Sequence, residues 1–334
     1  MTRVAINGFG RIGRALFRIL NETGGFEVVA INDISDNEAL AYLLRYDTVM
    51  GRFPDNVELH GETLRTSRQS VRMTAIADPS RLPWKEMGAS IVIEATGRFR
   101  RRAECEQHLA AGAGRVILTV PAKDEIDCTV VLGVNDGSLK PAHRIVSNAS
   151  CTTNCLAPLA KILHDAFGIE SGVMTTVHAY TNDQRLADVP HSDWRRSRAA
   201  AENIIPTTTG AARAVGKVLP ELAGKLDGMA MRVPIPDGSI VDLVVRLAAE
   251  TTTSRLNEAV REAARAPRMN RIVRFNEDPI VSSDIVGDPH SCIFDAPFTR
   301  VSRGRFAKVL AWYDNEWGYS NRVVDLMRLM SAQS

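Results

Sequence analysis

The sequence predicts an α/β protein with two domains: a mostly parallel sheet domain, and an α+β domain with a mixed or antiparallel sheet. Short Val- and Ile-rich runs alternate with helical stretches over the first 150 residues, a pattern typical of a parallel sheet covered on both faces. Later strand candidates, residues 239–248 and 306–313, are longer and alternate apolar with polar residues, which favours antiparallel pairing. A chain of 334 residues is long enough to build two cores.

The elements follow from the spacing of apolar residues. In the first half, helical spacing over residues 11–22 predicts the first helix. After residue 150 we expect helices over residues 151–167, 254–266 and 317–331, the first of them ended by Gly168. Residues 181–203 are polar, irregular and rich in arginine, which predicts a long functional loop. The strand candidates of the first half are residues 3–8, 27–32, 71–76, 90–95, 115–119, 129–132 and 144–147.

Composition narrows the classes of function. A formal charge of +2 in 334 residues is close to balance, which argues against nucleic-acid binding as the main role. We expect no membrane span, because no window approaches about 18 consecutive apolar residues. The five cysteines are scattered, which favours reduced thiols in a cytoplasmic protein. No CxxC pair occurs and no histidine stands at ligand spacing, so no metal site is expected.

A Gly-x-Gly-x-x-Gly motif lies between the first predicted strand and the first predicted helix. An acidic residue, Asp33, ends the second predicted strand 20 residues after the last glycine. Glycines let the backbone approach a pyrophosphate, and the first N–H groups of the helix hold its charge. Asp33 would accept hydrogen bonds from a ribose and repel a 2′-phosphate, so the motif predicts NAD binding. The candidate ligands are Gly8, Gly10, Arg11, Ile12, Gly13 and Asp33.

The second candidate site is a thiol. Cys151 lies where a predicted strand ends and a helix begins, and free helix N–H groups at that place predict a lowered thiol pKa. Cys155 is one turn further into an apolar helix and is expected to pack in the core. His178, at the end of a strand-like run, is the candidate base. Spacing alone leaves open whether His178 reaches Cys151 or is structural.

Together, six motifs resemble the glyceraldehyde-3-phosphate dehydrogenase family. They extend from the first twenty to the last twenty residues of the chain. The motifs are Asn7–Arg14, Ala149–Pro158, His178–Gln184, Pro206–Ala212, Met231–Pro234 and Trp312–Tyr319.

The resemblance implies a domain division and an activity. Residues 1–150 and 317–334 would form a Rossmann-type NAD-binding domain, and residues 151–316 the catalytic domain of a cytoplasmic homotetramer. The activity implied is the phosphorylating oxidation of D-glyceraldehyde 3-phosphate to 1,3-bisphosphoglycerate with NAD, a step of glycolysis and gluconeogenesis. The partners implied are glyceraldehyde 3-phosphate and inorganic phosphate, with no membrane and no specific nucleic acid.

The resemblance also assigns roles to single residues. Cys151 would attack the aldehyde to form a thioester after hydride transfer, and His178 would take the proton. Asn315 would orient the nicotinamide amide, and Thr119 would lie near the nicotinamide ribose. The substrate phosphate would be held by Thr181 and Arg232. The inorganic phosphate would be held by Ser150, Thr152, Arg196, Thr209 and Gly210.

Two departures from the family pattern are visible. Ile76 and Ala77 stand where the family usually has an acidic residue and an arginine that lies near the adenine. Either the adenosine is then held more weakly, or another side chain such as Arg100 takes the place of that arginine. Residues 118–127 partly resemble the erythrose-4-phosphate dehydrogenase branch.

Three alternative functions follow from the same motifs. Erythrose-4-phosphate dehydrogenase is the nearest, but the sequences at 178–183 and 208–210 favour glyceraldehyde 3-phosphate. A cysteine hydrolase could use Cys151 and His178, yet it would have no use for the glycine motif and Asp33. A nucleic-acid-binding protein with a relic dehydrogenase fold is disfavoured by the near-neutral charge.

Overall fold

The computed structural model describes residues 1–333, which divide into two compact units. The first unit comprises Met1–Val130, Asp136–Ser150 and the chain from Ser320 onward. The second comprises Val131–Asn135 and Cys151–Tyr319. Among the described residues no helix is long and apolar enough to cross a membrane.

The first unit is built on a sheet of nine strands among the described residues. Its helices are α1 (Arg11–Thr23), α2 (Asn37–Arg45), α3 (Trp84–Met87) and α4 (Arg102–Ala110). Its strands are β1 (Thr2–Asn7), β2 (Phe26–Asn32), β3 (Glu58–His60), β4 (Thr63–Arg65), β5 (Ser70–Thr74), β6 (Ile91–Glu94), β7 (Arg115–Leu118), β8 (Cys128–Thr129) and β9 (Ile145–Ser147).

The order of these strands is β3-β4-β5-β2-β1-β6-β7-β9-β8. All pairs are parallel except β3 with β4 and β4 with β5. The chain proceeds from β1 to β2 on one side and later returns to β6 on the other. The strand order therefore reverses at β1, and open α/β sheets bind ligands at the carboxyl ends of the strands beside such a reversal.

One predicted strand of the first half is much shorter than expected. The apolar run 129–132 predicts a strand, but β8 ends at Thr129. Val131 begins a tight turn instead, in which its N–H donates to the side chain of Asn135 at 2.8 Å and its carbonyl accepts from Val134 at 3.1 Å. Apolar composition alone does not distinguish such a buried turn from a strand.

The second unit holds a mixed sheet of seven strands within the described residues, in the order β11-β12-β10-β13-β16-β15-β14. Its helices are α5 (Cys151–Phe167), α6 (Ala211–Val218) and α7 (Thr253–Arg265). The last helix, α8 (Trp317–Ala332), begins in the second unit and belongs to the first unit from Ser320 onward. Its strands are β10 (Ile169–Ala179), β11 (Ile205–Thr208), β12 (Leu226–Val233), β13 (Ser239–Leu247), β14 (Val273–Asn276), β15 (Cys292–Ser302) and β16 (Phe306–Tyr313).

Strand pairing in this sheet positions the later site residues. β10 pairs with β12 in parallel and with β13 antiparallel, and β13 pairs antiparallel with β16. Alternate residues of β13 are buried, as expected for a strand with one face on the core. Together, the parallel and mixed sheets confirm the predicted fold class. Residues 181–203 contain no regular helix or strand beyond one bridge between Arg185 and Ala199.

Candidate active site

The glycine motif forms a tight turn between β1 and α1 in the first unit. Gly8 has a positive φ of 96°, and a Cβ added there would lie 2.6 Å from the backbone nitrogen of Thr96. A Cβ on Gly13 would overlap the carbonyl oxygen of Gly8. Side chains are therefore excluded at both positions, and the backbone of the turn stays open to a close-fitting group.

Asp33 and the first turn of α1 complete this part of the site. The carboxylate of Asp33 accepts the N–H of Phe9 at 2.7 Å, so the end of β2 is tied to the glycine turn. Arg11 and Ile12 begin α1, and the side chain of Arg11 pairs with Asp47. What Arg11 and Ile12 offer a pyrophosphate is therefore the backbone N–H at a helix start. A ribose diphosphate fits this combination of turn, amides and carboxylate.

A buried hydrogen-bond network that the sequence does not predict lies beside the glycine turn, at the end of β1. Asn7, the last residue of β1, donates to Glu94 at 2.6 Å and accepts from Asn32 at 2.7 Å. His108 Nε2 lies 3.1 Å from Glu94, while the His108 Nδ1 accepts from the indole of Trp84 at 3.0 Å. The indole bond places the imidazole proton on Nε2, so His108 donates to Glu94. Glu94 stands at the end of an apolar strand, which is the one sequence signal for this role.

The structure places Cys151 and His178 side by side in the second unit. Cys151 is the first residue of α5, and His178 is next to last in β10. The Sγ of Cys151 lies 3.5 Å from the Nε2 of His178. His178 is buried and Cys151 is partly exposed, so an incoming molecule reaches the sulfur rather than the imidazole. A thiol and a base in hydrogen-bond reach form a nucleophile pair.

Strand register brings Arg232 to the same imidazole. His178 and Arg232 are partners in the parallel pairing of β10 with β12. The Arg232 Nη1 lies 2.5 Å from the His178 Nδ1 and donates to the carbonyl of Ala179 at 2.8 Å. The His178 Nδ1 is also 2.7 Å from that carbonyl. In the tautomer in which Nδ1 donates to Ala179, the Nε2 facing the thiol is a proton acceptor.

The pKa values of the pair correct the prediction for Cys151. Burial is the main cause that raises the pKa of Cys151 above its ordinary value, and it outweighs the opposing effects of Arg232 and Thr152. Burial and the Arg232 charge lower the pKa of His178 to about 3. The raised pKa of the Cys151 thiol is opposite in direction to the lowered pKa that the helix start alone predicted.

Tyr313 joins the site without having been predicted from sequence. Its hydroxyl lies 2.9 Å from the hydroxyl of Thr152 and 2.8 Å from that of Thr176. Its ring meets the imidazole of His178 edge-on, with 5.8 Å between the ring centroids. The Thr152 hydroxyl is thus shared between Tyr313 and the thiol of Cys151, on which the backbone N–H of Thr152 also acts. The sequence separation of 161 residues between Thr152 and Tyr313 gives no local signal of this contact.

Arg196 comes from the long loop and is embedded in hydrogen bonds. Its Nε donates to Thr207 at 2.9 Å, and it forms ion pairs with Asp183 and, at 3.6 Å, with Asp193. The positive charge of Arg196 also acts on His178, whose pKa it helps to lower. Arg196 is therefore held close to the thiol site, with part of its charge balanced by two carboxylates.

The other predicted anion ligands lie at chain turns. Thr181 begins the long loop, and its N–H donates to the side chain of Gln184 at 3.3 Å. The Thr209 hydroxyl accepts the N–H of Ala211 at 3.2 Å, and Gly210 directly precedes α6. Ser150 is the residue before Cys151 and is partly exposed.

Asn315 is tied to the strand that carries His178. Its side-chain oxygen accepts the Ser239 hydroxyl at 2.6 Å, and the same hydroxyl oxygen accepts the N–H of Ala179 at 3.1 Å. Ser239 thereby links the residue after His178 to the amide of Asn315. No local sequence pattern indicates this role of Ser239.

In the first unit, three further positions can be placed. Thr119 is buried, and its hydroxyl donates to the carbonyl of Glu94 at 3.1 Å. Ile76 is bonded through its backbone to the side chain of Asn32. The guanidinium of Arg100 donates to the carbonyl of Pro121 at 3.0 and 3.2 Å, so it does not stand in simply for the arginine missing at Ile76–Ala77.

Comparison with known proteins gives a consistent result. Residues 2–102 match the model of the glyceraldehyde 3-phosphate dehydrogenase NAD binding domain, and residues 150–315 match that of its C-terminal domain. A glyceraldehyde-3-phosphate dehydrogenase of Streptomyces coelicolor is 55% identical, over 99% of each chain. The enzyme of that name from Mycobacterium tuberculosis is 54% identical over 98% of each chain. Glyceraldehyde-3-phosphate dehydrogenase 2 of Streptomyces arenae is 53% identical, over 99% of this chain and 98% of its own.

Proposed function

The chain belongs to the glyceraldehyde-3-phosphate dehydrogenase family, and we propose that it oxidises D-glyceraldehyde 3-phosphate to 1,3-bisphosphoglycerate through a thioester on Cys151. The reaction uses NAD and inorganic phosphate, as a step of glycolysis or gluconeogenesis. The observation that carries the mechanism is the 3.5 Å contact of the Cys151 Sγ with the His178 Nε2 at the start of α5. Erythrose-4-phosphate dehydrogenase is not favoured, because the relatives at 53–55% identity carry the other name.

The chemistry of the pair accounts for both halves of the oxidation. His178 Nε2 takes the proton of the Cys151 thiol as Sγ attacks the aldehyde carbon, and it returns that proton to the oxygen to give a hemithioacetal. Nε2 then takes the hydroxyl proton as hydride leaves the carbon for the nicotinamide, which is the chemistry that NAD supplies when bound. A thioester remains on Cys151. Attack of inorganic phosphate on its carbonyl releases the acyl phosphate and the Cys151 thiolate, which then regains the proton held on Nε2.

Two sets of anion ligands serve the two phosphate groups in this proposal. Thr181 and Arg232 hold the phosphate that the aldehyde already carries, which fixes the distance from that phosphate to the attacked carbon. Arginine and hydroxyl groups suit a phosphate dianion. The inorganic phosphate is held by Ser150, Thr152, Arg196, Thr209 and Gly210. The closeness of Arg196 and Arg232 to His178 supports this assignment.

Cofactor binding is assigned to the glycine turn, the first turn of α1 and Asp33. Gly8 and Gly13 leave room for a pyrophosphate, and Gly10 leads into the first turn of α1, where the backbone N–H groups of Arg11 and Ile12 lie. Asp33 holds the adenosine ribose and disfavours a 2′-phosphate by charge, so we propose NAD in preference to NADP. Thr119 and Asn315 serve the nicotinamide end, where Asn315 orients the amide.

The proposed domain division follows the same assignment. Residues 1–150 and 317–334 form the NAD-binding domain, and residues 151–316 form the catalytic domain. The two compact units and the two family matches support this division.

We further propose a cytoplasmic homotetramer. Exposed large apolar side chains in and beside the long loop support an interface there: Leu186 is 87% exposed, Trp194 86% and Ile204 66%. Such groups are costly to leave in water unless they meet a partner. The cytoplasmic location is supported by the five unpaired thiols.

The test is the formation of NADH from glyceraldehyde 3-phosphate, with and without inorganic phosphate or arsenate. We expect sustained turnover only with one of these anions, because water attacks a shielded thioester slowly. Without them, about one NADH should form for each Cys151 before the reaction stalls. Full steady-state turnover without either anion would identify a hydrolytic aldehyde dehydrogenase instead. A higher catalytic efficiency with erythrose 4-phosphate would overturn the substrate assignment alone.

A further inference from the structure

Two buried carboxyl groups that the proposed mechanism does not use lie together at one end of the second sheet. Asp237 is 3% exposed and Asp314 is 1% exposed. The antiparallel pairing of β13 with β16 sets Ser239 opposite Tyr313. Asp237 stands two residues before Ser239, and Asp314 follows Tyr313 directly, so the pairing brings the two carboxyls into contact.

The hydrogen bonds around the two carboxyls differ. The Asp314 carboxylate accepts three backbone N–H groups at 2.6–2.8 Å, those of Gly287, Glu316 and Trp317. Asp237 accepts one, from Gly238 at 2.8 Å, and only at its Oδ1. Its Oδ2 is buried and receives no N–H or O–H donor from residues 1–333. An ionised oxygen in that place would be costly, whereas a protonated one donates to Asp314.

The charges that face Asp237 favour the protonated form. Asp314 and Glu316 are both acidic, and on α5 the thiol of Cys151 is close enough for the charge of Asp237 to raise its pKa. The largest charge effects on Asp237 come from the acidic groups of Asp314 and Glu316. Burial is the largest cause, and with Asp314 and Glu316 it raises the pKa of Asp237 to about 9.

We propose that Asp237 is a positioning residue whose protonated carboxyl, donated to the Asp314 carboxylate, holds Asn315 and the thiol site in their working arrangement. The inference rests on the proposed function, because it assigns a role in that same reaction. The Asp237–Asp314 pair ties the loop before β13 to the turn that carries Asn315. Two residues beyond Asp237, the Ser239 hydroxyl bonds to Asn315 at 2.6 Å and accepts the N–H of Ala179.

The loop between these contacts has little freedom to relax. Gly238 has a positive φ of 85°, and a Cβ added there would overlap the carbonyl oxygen of Ser282. Loss of the proton would therefore leave two carboxylates in contact, with a new negative charge near Cys151. Both effects oppose the reaction. The turn that carries Asn315 is no longer held by the hydrogen bond from Asp237, and the new negative charge disfavours the thiolate and the phosphate substrates.

Asp237→Asn distinguishes the titration of the carboxyl from its hydrogen bond, because the amide still donates to Asp314 but does not titrate. At pH 7 we expect this variant to have a kcat/KM close to that of the native chain. At alkaline pH the native kcat/KM should fall by up to about tenfold per pH unit, and the variant should lack this fall. Asp237→Ala, which has no donor, should be slower at every pH. Asp278→Asn, at an exposed carboxyl, is the control and should retain the native profile.

Two readouts are independent of turnover. The infrared difference between the native chain and Asp237→Asn at pH 7 should contain the C=O stretch of a protonated carboxylic acid. If Asp237→Asn does not fold, the same band should disappear from the native chain between pH 7 and pH 10.

Because the folded pKa of Asp237 lies above that of an unfolded aspartate, this proton stabilises the native chain most at low pH. That stabilisation is lost as the pH rises through about 9.

An identical alkaline profile in Asp237→Asn and the native chain would overturn the proposal. So would the absence of the carboxylic acid band in both infrared comparisons. Failure of the proposed function has a different signature, since the native chain would then form no NADH from glyceraldehyde 3-phosphate at pH 7.

Discussion

At the scale of single residues, burial and charge have opposing effects on the pKa of Cys151. Burial raises its thiol pKa, while Arg232 and the N–H and hydroxyl of Thr152 act to lower it. We expect Cys151→Ser to abolish dehydrogenase activity and Cys155→Ser to leave most of it, since Cys155 is fully buried behind the first turn of α5. Steady-state NADH formation by the two variants checks this.

The same thiol has a predicted pH dependence. Iodoacetamide should label Cys151 first and inactivate the enzyme, and the labelling rate should still be rising above about pH 8.5, the pKa of an ordinary thiol. Peptide mapping after partial labelling identifies the site, and Cys155→Ser is the control. A labelling rate already constant below pH 7 would show that the thiol pKa is lowered after all.

Arg232 is predicted to have a role in substrate binding and a second one at His178. Arg232→Ala should reduce kcat/KM for glyceraldehyde 3-phosphate by about 10- to 150-fold, the scale of one hydrogen bond to a charged group. The slow reaction with unphosphorylated glyceraldehyde should change much less. Arg232→Lys keeps the charge and is the matched control. Equal losses with both aldehydes would place the role of Arg232 at His178 rather than at the phosphate.

At the scale of elements, the carboxyl ends of β1, β2 and β6 are joined through the Glu94 network. Glu94 accepts from Asn7, from His108 and from both the N–H and the hydroxyl of Thr96. In Glu94→Gln an amide N–H replaces one accepting oxygen, so it faces one of these donors and a buried hydrogen bond is lost. We therefore expect a loss of about 1–3 kcal/mol in unfolding free energy and weaker NAD binding.

Thermal unfolding and NAD titration calorimetry check the Glu94 prediction. Glu86→Gln is the matched control, because Glu86 is exposed and forms a surface ion pair with Arg72. Such a pair contributes about 0–1 kcal/mol. Native stability and NAD affinity in Glu94→Gln would mean that the network does not position the glycine turn.

Elements with local signals could be predicted from sequence, and the contacts between elements could not. The glycine turn and the start of α5 at Cys151 each depend on residues adjacent in the chain. The contact of Arg232 with His178 depends on the register of β10 with β12, which no local pattern specifies. Tyr313 reaches Thr152 across 161 residues for the same reason. The pKa of Cys151 was wrongly predicted because helix position is a local property and burial is not.

At the scale of the whole molecule, assembly is predicted to depend on the exposed apolar groups of the long loop. Trp194 is 86% exposed in the single chain, so a tetramer that covers it gains apolar burial. Trp194→Asp would place a charge in that interface, and we expect it to shift the protein to smaller species with reduced activity. Light scattering over a dilution series measures the mass, and Trp194→Phe is the conservative control that should remain tetrameric. A Trp194→Asp protein with the native mass at every concentration would show that Trp194 lies outside the interface, and a monomeric native chain would overturn the tetramer itself.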